Sequence, residues 1–336
     1  MENGTDYINA TAESDEYGID LAFILCWCVS GAVGVIGNLI MSLTILLNRD
    51  LRNVTNILIV NAAVGDIAFI LIMLPLNIYT WVTWVWPFGD FLCKLTNMVT
   101  MYSMTTSAYS FCAISYDRYM VVTKPLEHRS IRTRRVSCYI ITIDFIGLLS
   151  VIPTYFMAYE EDNQCNYLDH GTTMAQIHEV TVFICLYVIP LFVIGFNYIR
   201  IAKVLVLSIR RQLCERSNAA IAKQQSKRIR LTKSLLLIII IYGLCMLPYY
   251  IANIGLQFLT DEIALQRFYN IIMIPSVLCY VLATLVNPVM MFVLSQKYRH
   301  HVLRCRPTFF RPNLMNTRAN GSNRLTLTRR TTGTQF

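Results

Sequence analysis

The stretch CKLTNMVTMYSMTTSAYSFCAISYDRYMVV, residues 93–122, decides how the rest of the chain is read. It opens on Cys93, continues through apolar and small hydroxyl residues, and closes on Asp117-Arg118-Tyr119 ahead of Val121 and Val122. As a helix rising 1.5 Å per residue, the interval from Cys93 to Arg118 spans about 37 Å, enough to cross the ~30 Å hydrocarbon core of a bilayer. An arginine is costly to bury in hydrocarbon, so a charge at the end of such a helix marks a functional site. Cys93 then faces one compartment and Arg118 the other.

The composition around this stretch agrees with a membrane protein. Of 336 residues 55% are hydrophobic and 15% charged, and the mean hydropathy is +0.48. Apolar windows predict seven spans, at 21–47, 57–81, 92–122, 136–157, 177–207, 234–258 and 268–294. Seven crossings put the termini on opposite sides. Of the 29 Lys and Arg residues, 27 fall between or beyond the spans on the side that holds Arg118, and only Lys94 and Arg267 on the other. Basic residues accumulate on the cytoplasmic side, which predicts an extracellular N-terminus and a cytoplasmic C-terminus. The net charge of +9 is thereby a feature of one face, explained by topology and anionic lipid rather than by nucleic acid. Residues 1–20 are polar and acidic and lack the pattern of a cleavable signal peptide. In that extracellular tail Asn3-Gly4-Thr5 and Asn9-Ala10-Thr11 are glycosylation sequons. Most of the eleven cysteines lie in apolar segments and read as core filler, whereas Cys93 and Cys165 fall in outward-facing regions.

Several spans carry polar residues that need partners in hydrocarbon: Asn38 in the first, Asn61 and Asp66 in the second, and Asn287 before Pro288 in the seventh. The fifth contains Pro190 with Tyr198 eight residues later, and the sixth contains Pro248. Together with Asp117-Arg118-Tyr119, and Pro125 closing that helix, this set resembles the rhodopsin-like (class A) G-protein-coupled receptors over about residues 20–305. The resemblance implies an all-α membrane protein, a seven-transmembrane helix bundle (21–294) followed by a short amphipathic eighth helix (295–305) and a disordered cytoplasmic tail (306–336). It implies that Cys93 is disulfide-bonded outside, with Cys165 as partner. It assigns Asp117, Arg118, Tyr119, Pro125 and Tyr198 to G-protein coupling. The family's sodium aspartate matches Asp66, and Ser107 and Asn287 fall at the places of its companions; a structural hydrogen-bond node is the competing reading of Asp66. Trp86-Pro87-Phe88-Gly89 resembles the family's Trp-x-Phe-Gly outer loop.

Two departures bear on the switch residues Met246, Pro248, Asn287, Pro288 and Met291, and a third lies in the fourth span. Met246 stands where the family has a tryptophan, and Met291 where it has the tyrosine of Asn-Pro-x-x-Tyr. In the fourth span the family's tryptophan position is taken by Asp144, possible partner of Asn61, or by Phe145. No acid lies near Lys227, Arg228 and Arg230 at the inner foot of the sixth span, so the inactive state is expected to hold Arg118 through Asp117 alone.

The ligand class narrows by exclusion. Residues 94–112 lack the aspartate that amine receptors use, Thr100 occupying its level, and residues 268–294 lack the lysine of opsins. Fourteen of the twenty acidic residues are predicted outside, against two basic ones, a field that concentrates cations. With Leu76, Tyr79, Thr100, Met104, Glu179, Tyr249, Tyr250, Asn253 and Met273 lining an outer cavity, this favours a basic or amidated peptide and resembles neuropeptide receptors. Cys305 is a palmitoylation candidate next to membrane lipid, and Thr326, Thr328, Thr331, Thr332 and Thr334 are candidate phosphorylation sites for arrestin. Two rival readings are a receptor that binds without normal signalling or is constitutively active, and an ion channel or transporter using Asp66. No metal-ligand cluster, nucleophile-base pair or phosphate loop points to an enzyme or to a cofactor other than sodium.

Overall fold

The computed structural model describes residues 3–123, 129–169, 171–214, 219–259 and 261–304. Among these residues seven membrane-length helices form one bundle: α1 (Asn3–Leu47), α2 (Val54–Thr83), α3 (Gly89–Thr123), α4 (Arg129–Met157), α5, α6 (Ala219–Leu256) and α7. Helix α5 runs as Thr173–Phe183, a π turn over Ile184–Val188 and Ile189–Cys214, the widened turn coming just before Pro190. Helix α7 has the same composite form, Glu262–Phe268, Tyr269–Met273 and Ile274–Leu294. A short α8 (Gln296–Arg304) follows, with Tyr298 buried and Leu303 exposed.

Six of the helices are long and apolar enough to cross a membrane by length and composition. The remaining one, α3, is 35 residues long but interleaves Thr and Ser with Asp90, Lys94, Asp117 and Arg118. Its place in the bundle explains this composition, because α3 packs against α2, α4, α5 and α6 and offers little surface to lipid. The bundle is apolar outside, where Leu39, Leu71, Phe145, Phe156, Phe192, Leu244 and Val289 are exposed. Its interior instead holds Asn38, Asp66, Ser103, Ser107, Ser110, Asp117, Thr284 and Asn287, all buried. That distribution suits a solvent of hydrocarbon.

Local signals set several boundaries. Asn53 caps α2 by accepting the Asn56 amide at 3.1 Å, and Thr172 caps α5 through the Ala175 amide at 3.3 Å. Gly65 brings α2 against α3: a Cβ there would lie 2.7 Å from Thr106 Oγ1 and 3.2 Å from the Ser103 Cα. Backbone cannot retreat as a side chain can, so Gly65→Val should cost roughly 2 kcal/mol by overpacking, seen as a lowered melting temperature in detergent.

The outer connection between α4 and α5 is a hairpin where the sequence reading has only an extended loop. Strand β1 (Ala158–Glu161) pairs antiparallel with β2 (Gln164–Tyr167), Glu160 opposite Cys165. Asp162 and Asn163 turn the corner with φ of 52° and 57°. Positive φ at both central positions is the tight hairpin geometry, which Asn and Asp tolerate. Four-residue strands without strict alternation give no periodic signal, which is why the hairpin was not legible.

Candidate functional site

Three layers stack along the bundle. At the outer end Cys93, fully buried at the start of α3, is bonded to Cys165 of β2 with a Cα–Cα distance of 5.4 Å. Buried Trp86 fastens the adjoining loop: its amide donates to the Asn163 carbonyl at 2.7 Å and its indole N–H to the Gly89 carbonyl at 3.0 Å. Lys94 pairs with Asp90 at 2.6 Å, and this hydrogen bond holds the Asp90 carboxyl below the usual carboxylate range. One of the two outer basic residues is thus already engaged, leaving the acidic rim dominant.

Beneath the hairpin lies an aromatic cluster. Tyr250 packs against Tyr187 at 5.3 Å and Phe183 at 5.9 Å between ring centroids, and Tyr249 lies 5.1 Å from Tyr280. Tyr280 stacks on Phe69 at 4.1 Å and donates its hydroxyl to the Thr100 carbonyl at 3.4 Å, tying α7 to α2 and α3. Met104 is buried, and the Met273 carbonyl accepts the Ser276 hydroxyl. Asn253 turns its amide back to the Tyr249 carbonyl at 2.7 Å. Tyr79 stands apart at the rim, 44% exposed with its ring edge on Phe88, and Leu76 is half-buried. The Glu179 side chain is only 11% exposed. The reading from sequence passed over Tyr280; its spacing of two helical turns before Asn287 was the available signal.

At mid-depth Asp66, 2% exposed, collects donors from three residues. Ser107 Oγ lies at 3.2 Å and Ser103 Oγ at 3.5 Å from Oδ1, and Asn287 Nδ2 at 3.3 Å from Oδ2. The structure therefore brings Asp66, Ser107 and Asn287 together and adds Ser103, one turn before Ser107. Asn287 Oδ1 is buried with no hydrogen-bond partner. A buried carboxylate, two hydroxyls and an uncommitted amide oxygen form a hard oxygen set that fits a small cation such as sodium. Asn38 of α1 joins the layer by donating to the Thr284 carbonyl at 3.0 Å.

Fully buried Met246 sits one turn beyond Tyr242, whose ring tilts against Phe111 at 4.7 Å. Pro248 and Pro288 both stand inside helices. The Pro288 ring lies where a Cβ on Gly37 would meet it at 3.2 Å, so α1 and α7 touch across a glycine. In the fourth helix Asp144 turns inward and accepts from Asn61 Nδ2 at 3.0 Å and from the Tyr102 hydroxyl at 3.3 Å, while Phe145 is 60% exposed.

At the inner end Arg118 Nη2 lies 3.1 Å from Asp117 Oδ2. It also donates to the Thr55 hydroxyl of α2, which lies 3.5 Å from the same carboxylate oxygen. This corrects the expectation that Asp117 acts alone. The α2 hydroxyl had no sequence signal, because only the fold puts it beside α3. The Tyr119 hydroxyl accepts from Arg200 Nη2 of α5 at 2.5 Å, and the guanidinium lies 4.3 Å from the ring centroid. Tyr198 is buried on α5 and Met291 on α7. Pro125, Cys305 and the tail threonines lie outside the described residues, as do the side chains of Asn3, Asn9, Lys227, Arg228 and Arg230.

Residues 37–290 match the family described as 7 transmembrane receptor (rhodopsin family). The chain is 25% identical over 312 residues to the Substance-P receptor of Mus musculus, covering 88% of this chain and 75% of that one. It is 26% identical over 296 residues to the Allatostatin-A receptor of Bombyx mori, covering 83% and 78%. To the RYamide receptor of Tribolium castaneum it is 26% identical over 291 residues, covering 81% and 77%.

Proposed function

The chain belongs to the rhodopsin family of seven-transmembrane receptors, and from that premise we propose that it binds an extracellular peptide, basic or amidated, and activates a heterotrimeric G protein through Arg118. The observation that carries the ligand class is the aromatic cluster of Tyr249, Tyr250 and Tyr280 in a chain whose acidic residues on the predicted outer side outnumber the basic ones. The relatives named for Substance-P, Allatostatin-A and RYamide support the same class. Binding shifts an equilibrium between two helix arrangements, with Pro248 and Pro288 as bending points and Arg118 leaving Asp117 and Thr55 to meet the G protein. The N-terminus is placed outside, glycosylated at Asn3 and Asn9, and the C-terminus in the cytoplasm, with Cys305 acylated at the lipid surface and the tail threonines recruiting arrestin once phosphorylated.

Asp66, Ser103, Ser107 and Asn287 would hold a sodium ion that favours the inactive arrangement by compensating the buried carboxylate. Sodium should then weaken agonist binding to the wild type several-fold, and Asp66→Asn should erase that dependence; agonist competition in sodium against an organic cation reads it.

A second reading is favoured by Met246 and Met291, which stand buried where the family carries its tryptophan and tyrosine. It holds that the receptor signals constitutively or weakly. Screening amidated peptides for G-protein activation in cells expressing the chain separates the two: a peptide-dependent rise supports the first reading, whereas high exchange without peptide and no rise with it supports the second.

A further inference from the structure

At the outer end of the bundle three residues from three elements share one set of hydrogen bonds. Gln257, which follows α6 and is buried, accepts the Gly171 amide on Oε1 at 3.2 Å. Gln176, in the first turn of α5, donates from Nε2 to the Gln257 carbonyl at 3.1 Å and to the Gly171 carbonyl at 3.4 Å. A backbone N–H only donates and a carbonyl only accepts, so the orientation of both side-chain amides is fixed. Gly171 takes a φ of 74°, a left-handed conformation that suits glycine. Its loop is held in turn by Asp169, which accepts the Tyr159 hydroxyl of β1 at 2.6 Å. The outer end of α6 is thereby tied to α5 and, through the hairpin, to the disulfide.

The seam continues inward. Two helical turns below Gln257, Tyr250 of α6 meets Phe183 and Tyr187 of α5, and the Tyr187 hydroxyl donates to the Gly243 carbonyl at 3.1 Å. Among the described residues the outer segment of α5, Thr173–Phe183, packs on α6, whereas Ile189–Cys214 packs on α3 and scarcely meets α6. Pro248, inside α6, removes a backbone hydrogen bond and permits a bend. Such a bend moves whichever arm is less restrained. The outer arm, from Pro248 to Gln257, is about 13 Å long and pinned, while the inner arm, from Pro248 to Ala219, is about 43 Å long. With the outer arm fixed, a bend of about 10° carries the inner end through about 7 Å. We propose that Gln257, clasped by Gln176 and Gly171, is the fixed point against which α6 bends, so that a ligand pressing on Tyr249 and Tyr250 displaces the inner end rather than the outer one. The proposal rests on the peptide reading and adds to it a positioning residue outside the aromatic cluster.

The test uses the full chain in cells, with surface expression followed by an N-terminal tag, peptide binding, and G-protein activation by a pool of basic amidated hexapeptides. At saturating peptide, Gln257→Leu should give a fifth or less of the wild-type response per surface receptor while still binding peptide, and Gln176→Leu should lower the response in part. Gln257→Glu, which keeps an oxygen for the Gly171 amide, should retain at least half. Each variant is also placed in the Asp117→Asn background, where Arg118 is released from within and needs no push from outside. There Gln257→Leu should leave the exchange without peptide unchanged, which a variant that merely misfolds would not do. A wild-type maximal response in Gln257→Leu, or a parallel loss of the exchange that Asp117→Asn produces, overturns the clasp while leaving the peptide reading intact. Failure of the pool on a well-expressed wild type overturns the peptide reading itself, and the clasp with it.

Discussion

Replacing Cys165 by serine should lower the stability of the receptor by about 2–4 kcal/mol, the range for a cross-link that closes a long loop. The bond joins residues 72 apart in sequence, and it fastens the hairpin to α3 at a point where Cys93 is fully buried. The upper end of the range assumes an unfolded chain free to explore; helices retained in lipid lower it. The loss should show as a drop in melting temperature in detergent and in surface expression. Reducing agent should lower the wild-type melting temperature toward that of Cys165→Ser and leave the variant unmoved. If the variant melts with the oxidised wild type, the hairpin is held by Trp86 and its hydrogen bonds to Asn163 and Gly89.

Asp117→Asn and Thr55→Ala should each raise nucleotide exchange in the absence of ligand. Arg118 leans on both residues in this arrangement, and hydrogen bonds to a charged group contribute about 1.5–3 kcal/mol. Loss of the ionic partner should therefore move the inactive-to-active equilibrium by at least tenfold, and loss of the hydroxyl by several-fold. The Thr55 variant is the more informative, because it leaves the Asp-Arg-Tyr triplet untouched. Basal exchange equal to the wild type in Thr55→Ala would show that α2 has no share in holding Arg118.

How far the sequence could be read follows from where each residue's signal lives. The seven spans were legible because hydrocarbon imposes length and apolarity on each segment separately. Even α3, poorest in apolar residues, was legible from its two ends, Cys93 and Arg118. Asp66, Ser107 and Asn287 were found by resemblance, and Ser103 was missed because one further serine in a helix rich in Ser and Thr is inconspicuous. The choice between Asp144 and Phe145 needed the rotation of α4, which sequence spacing alone does not fix to within one residue. Thr55, Arg200, His178 and Tyr280 share a different reason. Thr55, Arg200 and Tyr280 act across helix interfaces on Arg118, Tyr119 and Thr100, and His178 meets Tyr167 of β2; such pairings exist only once these elements are packed. The hairpin of β1 and β2 escaped because its strands are too short to carry a period.

The central claim, that an extracellular peptide acts on a G protein through Arg118, is tested most directly by nucleotide exchange on purified receptor in lipid discs, wild type beside Arg118→Ala. Each is assayed with and without a pool of basic amidated peptides, and peptide binding is measured in parallel. The account predicts a peptide-dependent rise of tenfold or more in the wild type, and its loss in Arg118→Ala with peptide still bound. An equal rise in Arg118→Ala, or a wild type that binds peptide without any rise in exchange, would contradict it.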